Sequence, residues 1–253
     1  AGETYVVLGS DSGFAADLDL YLLDGSNGFR LDGVDLNDLS GGAVSTAGDV
    51  NGDGFDDLVL AAPYADVAGV GMAGEVFVVF GPATGWTDSP NFLESLDGTD
   101  GFHLHGVNSQ DLFGVSVGSA GDLNDDGFGD LIIGARNSQN ASGDATGAAY
   151  VVFGKSSGWA SSVPSSLLDG ENGFRLDGID VGDKAGESVG TIGDLNGDGY
   201  DDLVVGAYDA AAGETYVVFG KSTSWESQID LASLNGVIGF RIDGIDPSDN
   251  SGI

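Results

Sequence analysis

Apolar residues in this chain come in short runs separated by glycine, aspartate and asparagine, and the runs return at a nearly fixed interval. Leu58-Val59-Leu60-Ala61, Leu131-Ile132-Ile133-Gly134 and Leu203-Val204-Val205-Gly206 are apolar throughout, as a strand covered on both faces must be. A second run, Phe77-Val78-Val79-Phe80-Gly81, recurs as Tyr150–Gly154 and Tyr216–Gly220, with an earlier copy at Tyr5–Gly9. A third, Gly28-Phe29-Arg30-Leu31-Asp32-Gly33, recurs as Gly101–Gly106, Gly173–Gly178 and Gly239–Gly244. None of these stretches has a helical period with capping residues. The pattern therefore predicts strands, four to a repeat: about Val44–Gly48, Leu58–Ala62, Val76–Gly81 and Phe102–Leu104.

Equivalent aspartates at 49, 122 and 194 lie 73 and then 72 residues apart. A period of that length marks a solenoid, a propeller or another array. Four short strands per repeat, stacked face to face around an axis, describe a blade, so the expected fold is an all-β propeller of four-stranded antiparallel blades. The register divides the chain into a half blade with its connector (1–42), blades at 43–106, 107–178 and 179–244, and the start of a further repeat at 245–253. About three and a half blades are expected to belong to a longer array that closes at about seven. Each connector between third and fourth strands carries an aromatic residue and a leucine: Phe14 with Leu23, Trp86 with Leu96, Trp159 with Leu168, Trp225 with Leu234. These read as anchors that pin the connector to its blade.

Between the first and second strands of each complete repeat lies an oxygen-rich loop: Asp49-Val-Asn51-Gly-Asp53-Gly54-Phe55-Asp-Asp57, Asp122-Leu-Asn124-Asp-Asp126-Gly127-Phe128-Gly-Asp130 and Asp194-Leu-Asn196-Gly-Asp198-Gly199-Tyr200-Asp-Asp202. Side-chain oxygens at positions 1, 3, 5 and 9, a main-chain carbonyl at 7 from Phe55, Phe128 or Tyr200, and glycine at 6 for the sharp turn suit a hard cation that takes six to eight oxygens. Calcium is the expected ion, at three sites. Positions 1, 3, 5, 6 and 9 are identical in the three copies, whereas position 4 is Gly52, Asp125 or Gly197 and position 8 is Asp56, Gly129 or Asp201. Position 12 is Leu60, Ile133 or Val205, which excludes the bidentate glutamate of an EF-hand.

Composition narrows the partners. Acidic residues outnumber basic ones 41 to 7, the formal net charge is −34, and 45 glycines imply many tight turns. Such a charge repels nucleic acid and anionic membrane, and no apolar run is long enough to span a bilayer. The chain has no cysteine, so thiols say nothing of its compartment; the calcium loops point instead to the extracellular space or cell surface.

Other motifs have plainer readings. Gly114-Val-Ser116-Val-Gly118 and Gly186-Glu-Ser188-Val-Gly190 match a hydrolase elbow in letters, but each falls on a first strand with no following helix, so no catalytic role is expected. Arg30, Arg175 and Arg241 are periodic and expected to pair with neighbouring aspartates. His103 and His105, the only histidines, replace Arg30 and Asp32 of the first copy at i and i+2 on an outer strand; they read as a surface pair, with a transition-metal site as the alternative. Asp38, Asp111, Asp183 and Asp249 recur before each first strand and are expected to cap turns rather than bind a second metal.

On these residues the chain resembles the FG-GAP repeat family, best known from the N-terminal propeller of integrin alpha subunits. Phe113-Gly114 keeps the first named element, with Ser40-Gly41, Ala185-Gly186 and Ser251-Gly252 at matching positions. Ala61-Ala62-Pro63, Gly134-Ala135-Arg136 and Gly206-Ala207-Tyr208 stand at the second. The longer repeats with Asn27–Gly33 are similar to secreted bacterial members. The resemblance implies a non-catalytic binding, adhesion or surface module recognising a protein or glycan. The alternatives are a scaffold segment of a larger secreted enzyme and a self-associating component of a surface layer, filament or sheath.

Overall fold

A computed structural model describes residues 1–82, 93–210, 212–222, 224–246 and 251–252. Strands one to four of the first blade are Ala43–Gly48, Asp57–Ala62, Glu75–Val79 and Gly101–His105. The second comprises Ser116–Gly121, Asp130–Ala135, Ala148–Val152 and Gly173–Asp177; the third, Ser188–Gly193, Asp202–Ala207, Glu214–Val218 and Gly239–Asp243. Neighbours within each blade run antiparallel in sequence order. Ahead of them, Glu3–Val7 and Gly28–Asp32 form a two-stranded sheet, the third and fourth strands of a repeat. The fold is therefore the all-β, partial propeller that the repeats predict.

The apolar runs are explained by where alternate side chains point. Val59 and Ala61 join Leu131, Ile133 and Tyr150 in a core between the first and second blades. Their neighbours Leu60 and Ala62 face the other way, into a core with Phe29 and Leu31 of the two-stranded sheet. Ile132 and Val151 likewise meet Leu203, Val205 and Tyr216 between the second and third blades. The second strands of the first and second blades are thus sandwiched between two cores, and period-two polarity has no place in them.

Two features of the connectors were not legible in the periodicity. Ser162–Pro164 and Gln228–Asp230 are short strands that pair in parallel with Gly101–His105 and Gly173–Asp177, the outer strands of the preceding blades. Each leads into a single 3-10 turn, Ser165–Leu167 or Leu231–Ser233. The connector tryptophans follow the same direction, which corrects the expectation that they pin a connector to its own blade. Trp159 stacks on Phe102 at 4.2 Å and Trp225 on Phe174 at 4.3 Å, so each grips the blade before it. Lys155 and Lys221 cover the far faces of these rings. Trp86 and Asp249 lie outside the described residues.

Other expectations resolve into contacts. Arg30, Arg175 and Arg241 pair with Asp32, Asp177 and Asp243 at 2.7, 2.6 and 2.6 Å. Ser116 and Ser188 donate their hydroxyls to the Gly186 and Gly252 carbonyls at 2.9 and 2.8 Å, joining each first strand to the following repeat. Asp183 accepts the Asp180 N–H at 3.2 Å as a turn cap, and buried Asp111 accepts from Asn108 at 3.1 Å. Burial pushes the Asp38, Asp111 and Asp183 carboxyls above the usual carboxylate range.

Candidate metal centre

Each candidate loop is the hairpin between a blade's first and second strands, and its path depends on backbone that few L-residues adopt. Position 6 has a φ of 93° at Gly54, 87° at Gly127 and 96° at Gly199. Position 4 is also left-handed, at 73° for Gly52, 57° for Asp125 and 79° for Gly197. Aspartate is among the few side chains that enter this region readily, which explains how Asp125 stands where the other copies have glycine.

The turn folds its own N–H groups onto position 1. Asp49 Oδ1 accepts from Gly52 and Asp53 at 2.7 and 3.0 Å, and its Oδ2 accepts from Gly54 at 2.9 Å. Asn51 Oδ1 accepts the Asp53 N–H at 2.9 Å, while its Nδ2 donates to Asp53 Oδ2 at 3.0 Å. Asp53 Oδ1 accepts the position 7 N–H of Phe55 at 2.9 Å. Asp122, Asn124, Asp126 and Phe128 repeat the bonds made by the position 3 amide and by the N–H groups of positions 5, 6 and 7. So do Asp194, Asn196, Asp198 and Tyr200. Positions 1, 3 and 5 are therefore brought together on the exposed side of every loop.

Position 9 sits beneath them. Asp57, Asp130 and Asp202 are fully buried, and each carboxylate bridges two main-chain N–H groups. One belongs to position 2 of the same loop, Val50, Leu123 or Leu195, at 2.9 Å in each case. The other belongs to the glycine after the third strand: Gly81 at 2.8 Å, Gly154 at 2.9 Å and Gly220 at 2.9 Å. A Cβ on any of these glycines would collide with the position 8 carbonyl, at 2.5, 2.4 and 2.3 Å, so the glycine of each third run is required sterically. Burial pushes the Asp57 carboxyl up to about 6 and that of Asp130 up to about 7, against the opposing pull of the two N–H bonds.

Position 8, variable in sequence, docks one blade on the next. Gly129 N–H donates to the Asp49 carbonyl at 2.8 Å, and Asp201 Oδ2 accepts from the Asp122 N–H at 2.9 Å. Lys155 and Lys221 donate their main-chain N–H groups to Val50 and Leu123 at 2.9 and 3.0 Å. A loop that changes shape is thus felt by the next blade.

The donor set fits a hard cation. Each loop offers three carboxylates, one amide oxygen and a main-chain carbonyl, with no nitrogen or sulfur ligand. Among the described residues no Lys or Arg forms a salt bridge with a loop carboxylate, so their charge has no protein counter-ion. The side chains do not already form a cluster of three acidic or histidine ligands among the described residues. Two carboxylates and an amide share the hydrogen bonds of each turn, and the third carboxylate is held by the position 2 N–H and the glycine after the third strand, with a second lone pair on each oxygen.

The FG-GAP repeat profile matches residues 40–79, 113–152 and 185–218, each span containing one loop. Integrin alpha-4 of Xenopus laevis is 31% identical over 180 residues, covering 71% of this chain and 15% of the relative. Integrin alpha-5 of the same species is 33% identical over 183 residues, covering 71% and 16%. The phosphatidylinositol-glycan-specific phospholipase D of Bos taurus is 31% identical over 172 residues, covering 68% and 19%. The chain spans less than a fifth of the length of these relatives.

Proposed function

Since the chain belongs to the FG-GAP repeat proteins, we propose that it is a calcium-stabilised, non-catalytic propeller module that works outside the cell and binds a protein or glycan. The observation that carries this reading is the threefold repetition of one oxygen cradle, with the main chain of the first and second cradles bonded to the following blade. Asp49, Asn51 and Asp53, with the Phe55 carbonyl and Asp57, would hold the first ion. Asp122, Asn124, Asp126, Phe128 and Asp130 would hold the second, and Asp194, Asn196, Asp198, Tyr200 and Asp202 the third. A bound divalent cation supplies the counter-charge for each loop's converging carboxylates. Position 9 then fixes the loop to the end of the third strand, and the position 1 and 2 carbonyls fix it to the neighbour. A rigid rim of hairpins results, the kind of scaffold on which a binding surface is displayed.

Calcium titration by calorimetry, with thermal melts in calcium and in chelator, tests the reading. Three ions per chain and a rise in Tm are expected. Absence of calcium heat together with a Tm indifferent to chelator would overturn it. Oxygen distances of about 2.3–2.6 Å identify calcium, and about 2.0–2.1 Å in octahedral geometry would assign magnesium.

The phospholipase D similarity supports a second reading, a scaffold segment of a larger secreted enzyme. A catalytic domain on the same polypeptide would favour it, and a partner that binds the repeats alone would favour the first.

A further inference from the structure

The outer strand of the first blade departs from its copies at two positions that face the same way. Elsewhere these positions hold an ion pair: Arg30 with Asp32, Arg175 with Asp177, Arg241 with Asp243. Opposite the arginine stands a tyrosine, Tyr5, Tyr150 or Tyr216, whose hydroxyl is bonded to Glu3, Ser138 or Glu214. In the first blade the ion pair is replaced by His103 and His105, and the tyrosine by Phe77. Both members of a structural pair have become imidazoles, and the hydroxyl beside them is gone. We propose that His103 and His105 bind one divalent transition-metal ion of the zinc, nickel and copper class.

The hydrogen bonds of the two rings carry the argument. His105 Nδ1 lies 3.0 Å from the Gly106 carbonyl, which can only accept, so Nδ1 bears the proton. His103 Nδ1 is bonded to the Glu75 carboxylate, which sits opposite His105 on the adjoining strand. Each ring thereby presents the lone pair of Nε2. Orientation of an imidazole through its other nitrogen, by a carboxylate or a main-chain carbonyl, is the arrangement found around metal-binding histidines. Glu75 acts on His103 in that way and is a positioning residue.

Placement agrees. The ring centroids are 6.3 Å apart, a separation that two metal–nitrogen bonds of about 2.0–2.1 Å can bridge with small χ adjustments. His103 stacks on Phe77, which limits its rotation on one side. Both histidines are half-buried, enough to restrict them while leaving an approach from solvent. The acidic field of the whole chain raises the local concentration of cations. Imidazole nitrogen selects borderline ions over calcium, so the oxygen loops and this pair take different metals. Water completes the coordination sphere of a two-residue site.

Zinc is the probe. It is titrated into the full 253-residue chain in millimolar calcium, by competition with a chromophoric indicator. The control is the double variant His103→Arg/His105→Asp, which installs the residues of the other copies. One zinc per chain is expected, with affinity falling at least roughly tenfold in the variant and the Tm in calcium unchanged. Because the chain has only two histidines, imidazole nitrogen NMR reads the site directly: both Nε2 resonances should shift together and saturate at one equivalent. Equal zinc affinity in the variant, or a shift in one ring alone or in neither, would overturn the proposal.

Discussion

Two aspartates of each loop have the same chemistry and different roles. Asp126 is at position 5, on the solvent side, where it accepts from Asn124 and Phe128. Asp130 is at position 9, fully buried between Leu123 and Gly154. Asp130→Ala leaves two buried N–H groups without an acceptor, at about 1–3 kcal/mol each. It should destabilise the protein by that amount in chelator, and by more in calcium, where a ligand of the second ion is lost as well. Asp126→Ala should cost little in chelator and should remove the stabilisation by one ion. That term is about 1.4 kcal/mol for a site with Kd near 0.1 mM in about 1 mM calcium. Asp125→Gly relieves a left-handed aspartate and should be neutral or stabilise by up to about 1 kcal/mol. Urea melts of the three variants, with and without calcium, separate these outcomes; equal behaviour of Asp126→Ala and Asp130→Ala would contradict the division of roles.

At the level of elements, the connector is a clasp laid across the edge of the preceding blade. Arg175 donates its main-chain N–H to the Ser227 carbonyl at 3.0 Å, and Trp225 covers Phe174 on the same strand. Trp225 is buried, so Trp225→Ala should cost about 3–5 kcal/mol. Hydrogen exchange should accelerate at the Arg175 amide, while Val217, paired with Val204 inside the third blade, keeps its protection. Uniform loss of protection would mean that the clasp is not a separable element. The periodic tryptophan was visible in the sequence as an anchor. Its partner was not, because Phe174 lies more than fifty residues earlier and the two meet only when blades stack.

For the whole molecule, the decisive quantity is apolar surface on the outer blades. Ala120 and Leu123 are fully buried under the third blade, whereas Ile192 and Leu195, their counterparts one repeat later, are 41% and 54% exposed. Val44 is likewise exposed on the first blade. Such faces and strand edges attract a complementary surface. In millimolar calcium the 253-residue chain should therefore self-associate, and Ile192→Lys with Leu195→Lys should shift it toward monomer in sedimentation velocity. A monodisperse wild-type monomer would show that these faces are satisfied within one chain.

The repeat register, the four strands of each blade and the hairpins with their candidate ligands follow from sequence alone. These are local properties: an apolar run, a glycine that can turn left-handed, and oxygen-bearing residues spaced two apart specify a hairpin whatever surrounds it. Tertiary structure decided which aspartate is buried, since Asp57 meets Gly81 across 24 residues of chain. It also decided what position 8 does, since Asp201 reaches Asp122 across 79. The partners of His103 and His105 belong to the same class, because strand pairing delivers Glu75 to one ring and Phe77 to its face. Residue spacing carries the geometry within a strand or turn. Contacts between strands and blades exist only once the blades have stacked.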